Sequence, residues 1–385
     1  MLVELSSDQE FFRETTARFL REQVPAEQVR RLRDSPAGHD LEYWRRGAEL
    51  GWTSLLVNEE VGGGSISGQG LVDLSLVAYE FGRHAAPGPL VPTNVVAAAL
   101  SGTGGQAHAE VVGELLSGEA IAAWCYAEPP PYGRLGDIAL EIAVEGADVV
   151  VNGIKRPVEA AGQARYLLVT GRTGGGLTQV LVPVDTPGVS TTPLRTVDLT
   201  RRFDAVAFDH VRLPTAAVVG EVGAAAEQVE RQLQLALTIL CAEAVGAMQT
   251  AFDSAVGWAF DRHSFGRPLA SYQALKHRFA DMKTWLEAGH AIADSAAAAV
   301  AADLPDAAEL VSVAKAFIGD YGGELLQECV QLHGGIGLTF EHDLHLFLRR
   351  VALNRVLYGT PGEHRQRIAD IVERRGAGAR PEGAA

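Results

Sequence analysis

Three short runs in the last third of the chain have residue types suited to a phosphorylated ligand. Arg262-His263-Ser264-Phe265-Gly266-Arg267 ends a helical run with a cation and breaks it before the next helix, which starts near Tyr272. A guanidinium beside the free N–H groups of a helix start suits a diphosphate. A plain helix–turn–helix with a capping arginine would use the same residues. Gln331-Leu332-His333-Gly334-Gly335-Ile336-Gly337 sets three glycines beside a glutamine, where backbone can approach a ligand closely. Alone, such a string is most often a turn. Leu357-Tyr358-Gly359-Thr360 follows.

Metal chemistry finds little support. Cys125, Cys241 and Cys329 lie far apart, fit no ligand spacing, and point to a reducing compartment. Glu341-His342-Asp343-Leu344-His345 has the composition of a metal motif without the spacing of a zinc helix, so a polar solvent-facing run is the better reading. His333 reads as a loop histidine satisfied by backbone, and Arg349-Arg350 as partners in structural ion pairs. The net charge of −15 argues against nucleic acid or an anionic membrane as the main partner. No export signal opens the chain and no uninterrupted apolar run is long enough to span a bilayer, so the expectation is a cytoplasmic protein.

The elements that must position these runs fall into three blocks. Residues 1–120 read as helical: Ser7 with Glu10 is a capping-box pattern. A run from Leu41 to Leu50 stops at Gly51, another spans Leu71 to Gly82, and 92–120 is helical with glycine-rich punctuation at 102–105. Residues 121–222 read as a small β-domain. Its short β-rich runs are 121–126, 138–144, 149–151, 166–169, 179–184, Val197 and 206–208, bounded by Gly, Pro and Asp. Residues 223–385 return to helix, broken near Arg267-Pro268, Leu304-Pro305 and Gly334–Gly337, which predicts a four-helix bundle. The fold class is therefore α+β: an N-terminal helical domain, a middle β-domain and a C-terminal four-helix bundle.

In order and spacing, the three C-terminal runs resemble the signature of the acyl-CoA dehydrogenases, with the glycine run beginning 65 residues after Gly266. The domain order agrees. The resemblance implies FAD, with Arg262, Ser264, Phe265, Gln273, Gln331, Gly334 and Gly335 gripping the ADP half across a subunit interface, and Thr360 beside the flavin. Trp124-Cys125-Tyr126-Ala127-Glu128-Pro129 resembles the strand whose backbone faces the flavin ring, which brings in Cys125 and Ala127. The family's threonine is Ala127 here, and its Gly-Ala-Gly-Ser-Asp continuation is Pro130-Pro131-Tyr132-Gly133-Arg134. Gly153 to Glu159 resembles the second flavin-facing strand, with Pro157 and Glu159 where the family has Trp and Thr. The partners implied are an acyl-CoA or carrier-protein thioester, an electron-transfer flavoprotein-like acceptor, and further chains in a homo- or hetero-oligomer, dimer or tetramer.

The residue before the Gly-Thr pair is usually the glutamate that takes the substrate's α-proton. Here it is Tyr358, whose phenol, with an ordinary pKa near ~10, is a poor base at neutral pH. The family's alternative base position, on the first bundle helix, falls on Ala236. Glu243 shares that helical face about 10 Å further along. It is the catalytic candidate, set against the favoured reading of a buried acid paired to an arginine or to backbone. Asp281, Glu363 and His364 are lesser candidates. The resemblance thus implies α,β-desaturation of an acyl thioester with Tyr358 in the usual base position. Three other readings stand beside it: the FAD-holding subunit of a heteromeric dehydrogenase, a flavin monooxygenase on the same fold, and a scaffold without FAD.

Overall fold

A computed structural model describes residues 4–32, 35–36, 38–102, 107–130 and 134–378. The glycine punctuation at 103–105 and the Pro131-Tyr132-Gly133 departure lie outside the described residues. The N-terminal helices are α1 Ser7–Gln23, α2 Ala26–Leu32, α3 Leu41–Glu49, α4 Gly70–His84, α5 Leu90–Gly102 and α6 Ala109–Leu116. The capping box sits one residue earlier than expected. Ser6 Oγ accepts the Gln9 N–H at 3.2 Å and Gln9 Oε1 accepts the Ser6 N–H at 3.1 Å. That register buries Gln9, whose amide donates to Asp73 Oδ1 at 2.8 Å and ties α1 to α4. The end at Gly51 is as expected, with φ +98° at that residue.

Seven strands follow: β1 Ala122–Cys125, β2 Glu141–Glu145, β3 Asp148–Glu159, β4 Tyr166–Thr173, β5 Gly176–Pro183, β6 Val189–Leu194 and β7 Phe203–Pro214. They form one sheet in the order β1-β4-β2-β3-β7-β6, with β5 on the other side of β4. β1 and β4 run parallel, with Trp124 opposite Leu168 and Cys125 opposite Val169, which sinks β1 in the core. Two details differ from expectation. Val197 is in a loop, and the strand on that side is β6, whose Ser-Thr-Thr-Pro composition hides it from a search for apolar runs.

The C-terminal part comprises α7 Ala226–Asp261, a hairpin of β8 His263–Ser264 and β9 Arg267–Pro268, then α8 Gln273–Ala301, α9 Ala307–His333, α10 Leu344–Val356 and α11 Pro361–Gly378. The fourth expected helix is therefore two, split by the turn that carries Tyr358. Helix α7 is long and apolar enough to cross a membrane by composition. It is instead the axle of the protein, packed against α4, α5, α8, α9 and α10 with 89% of its apolar window buried. Its closest neighbour is α4. A Cβ on Gly82 would sit 1.8 Å from the Glu243 carbonyl oxygen, and one on Gly246 would sit 2.0 Å from that of Tyr79. Only glycine at both positions lets the two backbones touch, and the contact sets the depth of Glu243.

Candidate functional site

The sheet, the β6–β7 loop and the α10–α11 turn enclose a cavity of about 450 Å³. Its walls include Tyr126, Ala127, Pro157, Phe203, Leu357 and Tyr358, so the interior is largely aromatic and aliphatic. The Tyr358 backbone has φ +54° and the following Gly359 φ +105°. Two residues of α11 hold this left-handed turn. His364 Nε2 donates to the Tyr358 carbonyl at 3.0 Å, while Glu363 accepts from Thr360 N–H at 2.8 Å and Thr360 Oγ1 at 2.7 Å. The other Glu363 oxygen takes the Leu135 N–H at 3.0 Å, linking the turn to the opposite lip. Burial lowers the His364 pKa to about 4, so the ring is neutral and its tautomer is fixed by the carbonyl it donates to. Trp124 packs on Tyr126 and Tyr358 with ring centroids 4.7 Å and 5.2 Å away. Burial raises both phenols, that of Tyr126 to about 12 and that of Tyr358 further, so neither is a base near neutral pH.

Four carboxylates line this cavity, and three of them are occupied. Glu128 accepts from Lys155 Nζ at 2.6 Å and from the N–H groups of Ala139 and Leu140. Glu363 is bound as described. Glu159 takes the Arg201 fork, with Nε at 2.7 Å and Nη2 on the second oxygen. Burial nevertheless pushes its pKa above the ordinary range, against the pull of Arg201. Asp137, on the turn at the mouth, has no side-chain partner among the described residues.

Glu243 does not line the cavity. It is buried behind it, accepting from Arg350 Nη1 at 2.6 Å, Asn354 Nδ2 at 2.7 Å and Arg201 Nη1 at 3.2 Å. Arg350 goes on to Asp198 at 2.5 Å, to Thr200 Oγ1 and to the carbonyls of Ala85 and Ala86 at the end of α4. The chain Glu159–Arg201–Glu243–Arg350–Asp198 thus joins the cavity wall, α7, α10 and the N-terminal helices. This is the paired-acid alternative for Glu243 and accounts for Arg350. Cys125 is also away from the cavity: its thiol is buried in the sheet, and burial raises its pKa to about 12. Ala127 and Thr360 do face the cavity.

The remaining predicted residues gather at one end of the bundle. Trp258, on the last turn of α7, stacks on His333 at the end of α9 with centroids 5.4 Å apart. His333 Nδ1 donates to the Cys329 carbonyl at 2.7 Å, so it is satisfied within its own helix. This contact brings Arg262, Ser264 and Phe265 to the same end as Gln331, Gly334 and Gly335. Arg262 is exposed, and its side chain has no partner among the described residues. Phe265 is 97% exposed at φ +49°, and Phe260, Leu338 and Phe340 are exposed as well. An unpaired guanidinium beside a bare aromatic ring and exposed glycines is suited to a diphosphate with an attached flat base. Gln273, the first residue of α8, holds His277 Nε2 at 2.9 Å. Part of the Glu341–His345 run is held by protein contacts: Arg30 pairs with Asp343 and donates to the Glu341 carbonyl, and His342 Nδ1 accepts the Leu344 N–H.

Sequence reasoning missed the Glu159–Arg201 pair. Its signal was a charged residue at an inward position of β3, beside Val158 and Ala160, which demands a buried partner.

Helical, β and helical parts in this order are shared with solved dehydrogenases. Butyryl-CoA dehydrogenase from Megasphaera elsdenii superposes with a TM-score of 0.86 at 22% identity, over 97% of this chain and 100% of that one. A variant of the Tcur3481-Tcur3483 steroid ACAD superposes with a TM-score of 0.87 at 24% identity, over 96% and 98%. Residues 6–119 match the acyl-CoA dehydrogenase N-terminal domain and residues 223–373 the C-terminal domain. Acyl-CoA dehydrogenase IpdE2 of Mycobacterium tuberculosis is 30% identical over 371 residues, covering 95% of this chain and 97% of that protein. IpdE2 of Mycolicibacterium smegmatis is 29% identical over 366 residues, covering 94% and 98%. The chain belongs to the acyl-CoA dehydrogenase family. It is an oxidoreductase of that type, and FAD is its cofactor.

Proposed function

We propose that this chain is the base-lacking subunit of a two-chain acyl-CoA dehydrogenase. Its outer edge grips the ADP half of FAD, and a partner chain brings the ring cavity and the glutamate. The observation that carries this is the state of the acids around Tyr358: Glu128, Glu159 and Glu363 are all held by the protein's own donors. A base must be within hydrogen-bond reach of the proton it removes and free to take it. The ring-facing wall is also altered, with the charged Glu159–Arg201 pair and the Tyr126 ring beside Ala127.

In this reading Arg262 pairs with the diphosphate, Phe265 covers the adenine, and the Gln331–Gly335 edge closes over the ribose. FAD supplies the hydride acceptor for the β-carbon, and an electron-transfer flavoprotein-like acceptor completes turnover. A self-sufficient dehydrogenase would have to use Asp137, the one acid lining the cavity without a side-chain partner among the described residues.

The test is to purify the chain alone and with a co-expressed base-bearing chain, then add butyryl-CoA or a steroid-side-chain acyl-CoA and follow the visible flavin band. Bleaching only when both chains are present is expected. Rapid bleaching by the solitary chain, lost in Asp137→Asn, would overturn the proposal.

A further inference from the structure

The turn that carries Gly334 and Gly335 spans Gly334–Leu338 and rests on α9 and α10. On the α9 side the Trp258–His333 stack and the His333–Cys329 bond fix it. On the α10 side the fixing group comes from α2, 311 residues away in sequence. Arg30 Nη2 donates to the Glu341 carbonyl at 3.0 Å and to Asp343 Oδ1, so one nitrogen gathers the backbone and the side chain of the connection between α9 and α10. We propose that Arg30 is a positioning residue for FAD, holding this connection in the shape that closes over the ADP half. The proposal rests on the reading above, in which the Gln331–Gly335 edge covers the ribose.

Asp343 has a local alternative and does not take it. It is the N-cap residue of α10, where an aspartate ordinarily accepts an N–H from the first turn. Its side chain makes no such bond; His342 Nδ1 takes the Leu344 N–H instead, at 3.1 Å, and the carboxylate goes to Arg30. Arg30 in turn stands on a firm base. Val29 and Leu32 are buried, and Arg202, just before β7, donates to the carbonyls of Leu32 and Ser35 at 2.6 Å. The held segment needs such a tie. Gly334, Gly335 and Gly337 have more backbone freedom to lose than other residues, and Ile336, Leu338 and Phe340 are exposed. Without Arg30 the edge would order itself on FAD, and binding would bear that entropy. Arg30 and Asp343 side chains are 36% and 38% exposed, so their pair changes affinity by at most about fivefold.

The experiment is a fluorescence titration of FAD into the apo form of the assembled enzyme, with hydrogen exchange at residues 334–340 as a second readout. Arg30→Gln and Asp343→Asn should each raise the FAD Kd by about fivefold, and the double variant by no more than either alone. Arg30→Lys, whose single ammonium can serve both acceptors, should restore most of the affinity. Exchange at 334–340 should rise in FAD-free Arg30→Gln while its melting temperature stays within about 2 °C of wild type. An unchanged Kd in Arg30→Gln, in an enzyme where Arg262→Ala raises it, overturns the proposal and leaves the ADP grip standing. Additive losses in the double variant, or melting that falls in step with affinity, overturn it by making the pair merely structural. Arg262→Ala without effect overturns the ADP grip and the proposal with it. Failure of the base-lacking reading has its own signature, flavin bleaching by acyl-CoA in the solitary chain, and the same titrations then apply to that chain.

Discussion

Replacing Glu243 by glutamine separates a structural acid from a catalytic one. The wild-type carboxylate accepts from Arg350, Asn354 and Arg201 within 2.6–3.2 Å. Glutamine keeps the shape but offers one oxygen, and its NH₂ must face at least one donor. Breaking a buried pair costs about 3–5 kcal/mol. Arg201 and Arg350 keep Glu159 and Asp198 as partners, so the lower end applies, about 3 kcal/mol. For a large domain about 2 °C is lost per kcal/mol, so the first thermal transition should fall by roughly 6 °C. Circular dichroism melting reads this directly. In the two-chain enzyme, flavin bleaching by butyryl-CoA at a temperature where the variant is folded should stay within about threefold of wild type, since Glu243 does not reach the cavity. A melting point unchanged within a degree, together with a hundredfold loss of bleaching, would refute the reasoning and make Glu243 the base. Arg350→Met supplies the complementary arm. It takes the charged partner from Asp198, leaves Glu243 with Arg201 and Asn354, and removes a donor from the Ala85 and Ala86 carbonyls, so it should cost at least as much.

Arg262→Ala and Phe265→Ala should each lower FAD retention of the assembled enzyme by about tenfold, the worth of one charge-assisted or aromatic contact, with no change in melting. Absorbance after gel filtration checks this. His290 and His364 both have folded pKa values lowered to about 4 by burial, so the unfolded chain binds more protons below about pH 6.5. Stability from these two groups is full above that pH and falls as pH drops from 6.5 towards 4; His364→Gln should flatten this acid limb in denaturant titrations. Tyr358→Glu should not confer acyl-CoA-dependent bleaching on the solitary chain, and its melting point should fall because a second acid joins Glu159 beside an already paired Arg201. Bleaching by that variant would mean that the cavity does seat a flavin ring.

The alternation of helical and β blocks was legible because period and punctuation change sharply near residues 120 and 224. The long α7 announced itself by its apolar run and by the arginine that follows it. Less visible was what depends on distant partners. Ser6 and Ser7 both offer a capping box, and only Asp73, on another helix, selects Ser6 by fixing Gln9. β6 has too few apolar residues to look like a strand, and β7 alone makes it one. The Leu357–Thr360 turn divides a helical pattern with a left-handed non-glycine, Tyr358, and Gly359 after it is the turn's one sequence signal. At the site, Arg262 and Phe265 could be chosen from motif and spacing, since their setting is local. Glu243 could be located but not assigned, because its role is decided by arginines 42 residues before it and 107 after it.

The glycine contact between α4 and α7 bears on how the chain is made. Gly82 packs on the Glu243 backbone and Gly246 on that of Tyr79, each across more than 160 residues of sequence. Until α7 has been synthesised, the small-residue face of α4 has nothing to dock on, and the N-terminal helices wait half-assembled behind the whole β-domain. Contacts this distant in sequence slow productive folding and prolong exposure of apolar surface. During translation the ribosome must therefore travel past residue 246 before the α4 face in the first third can be covered.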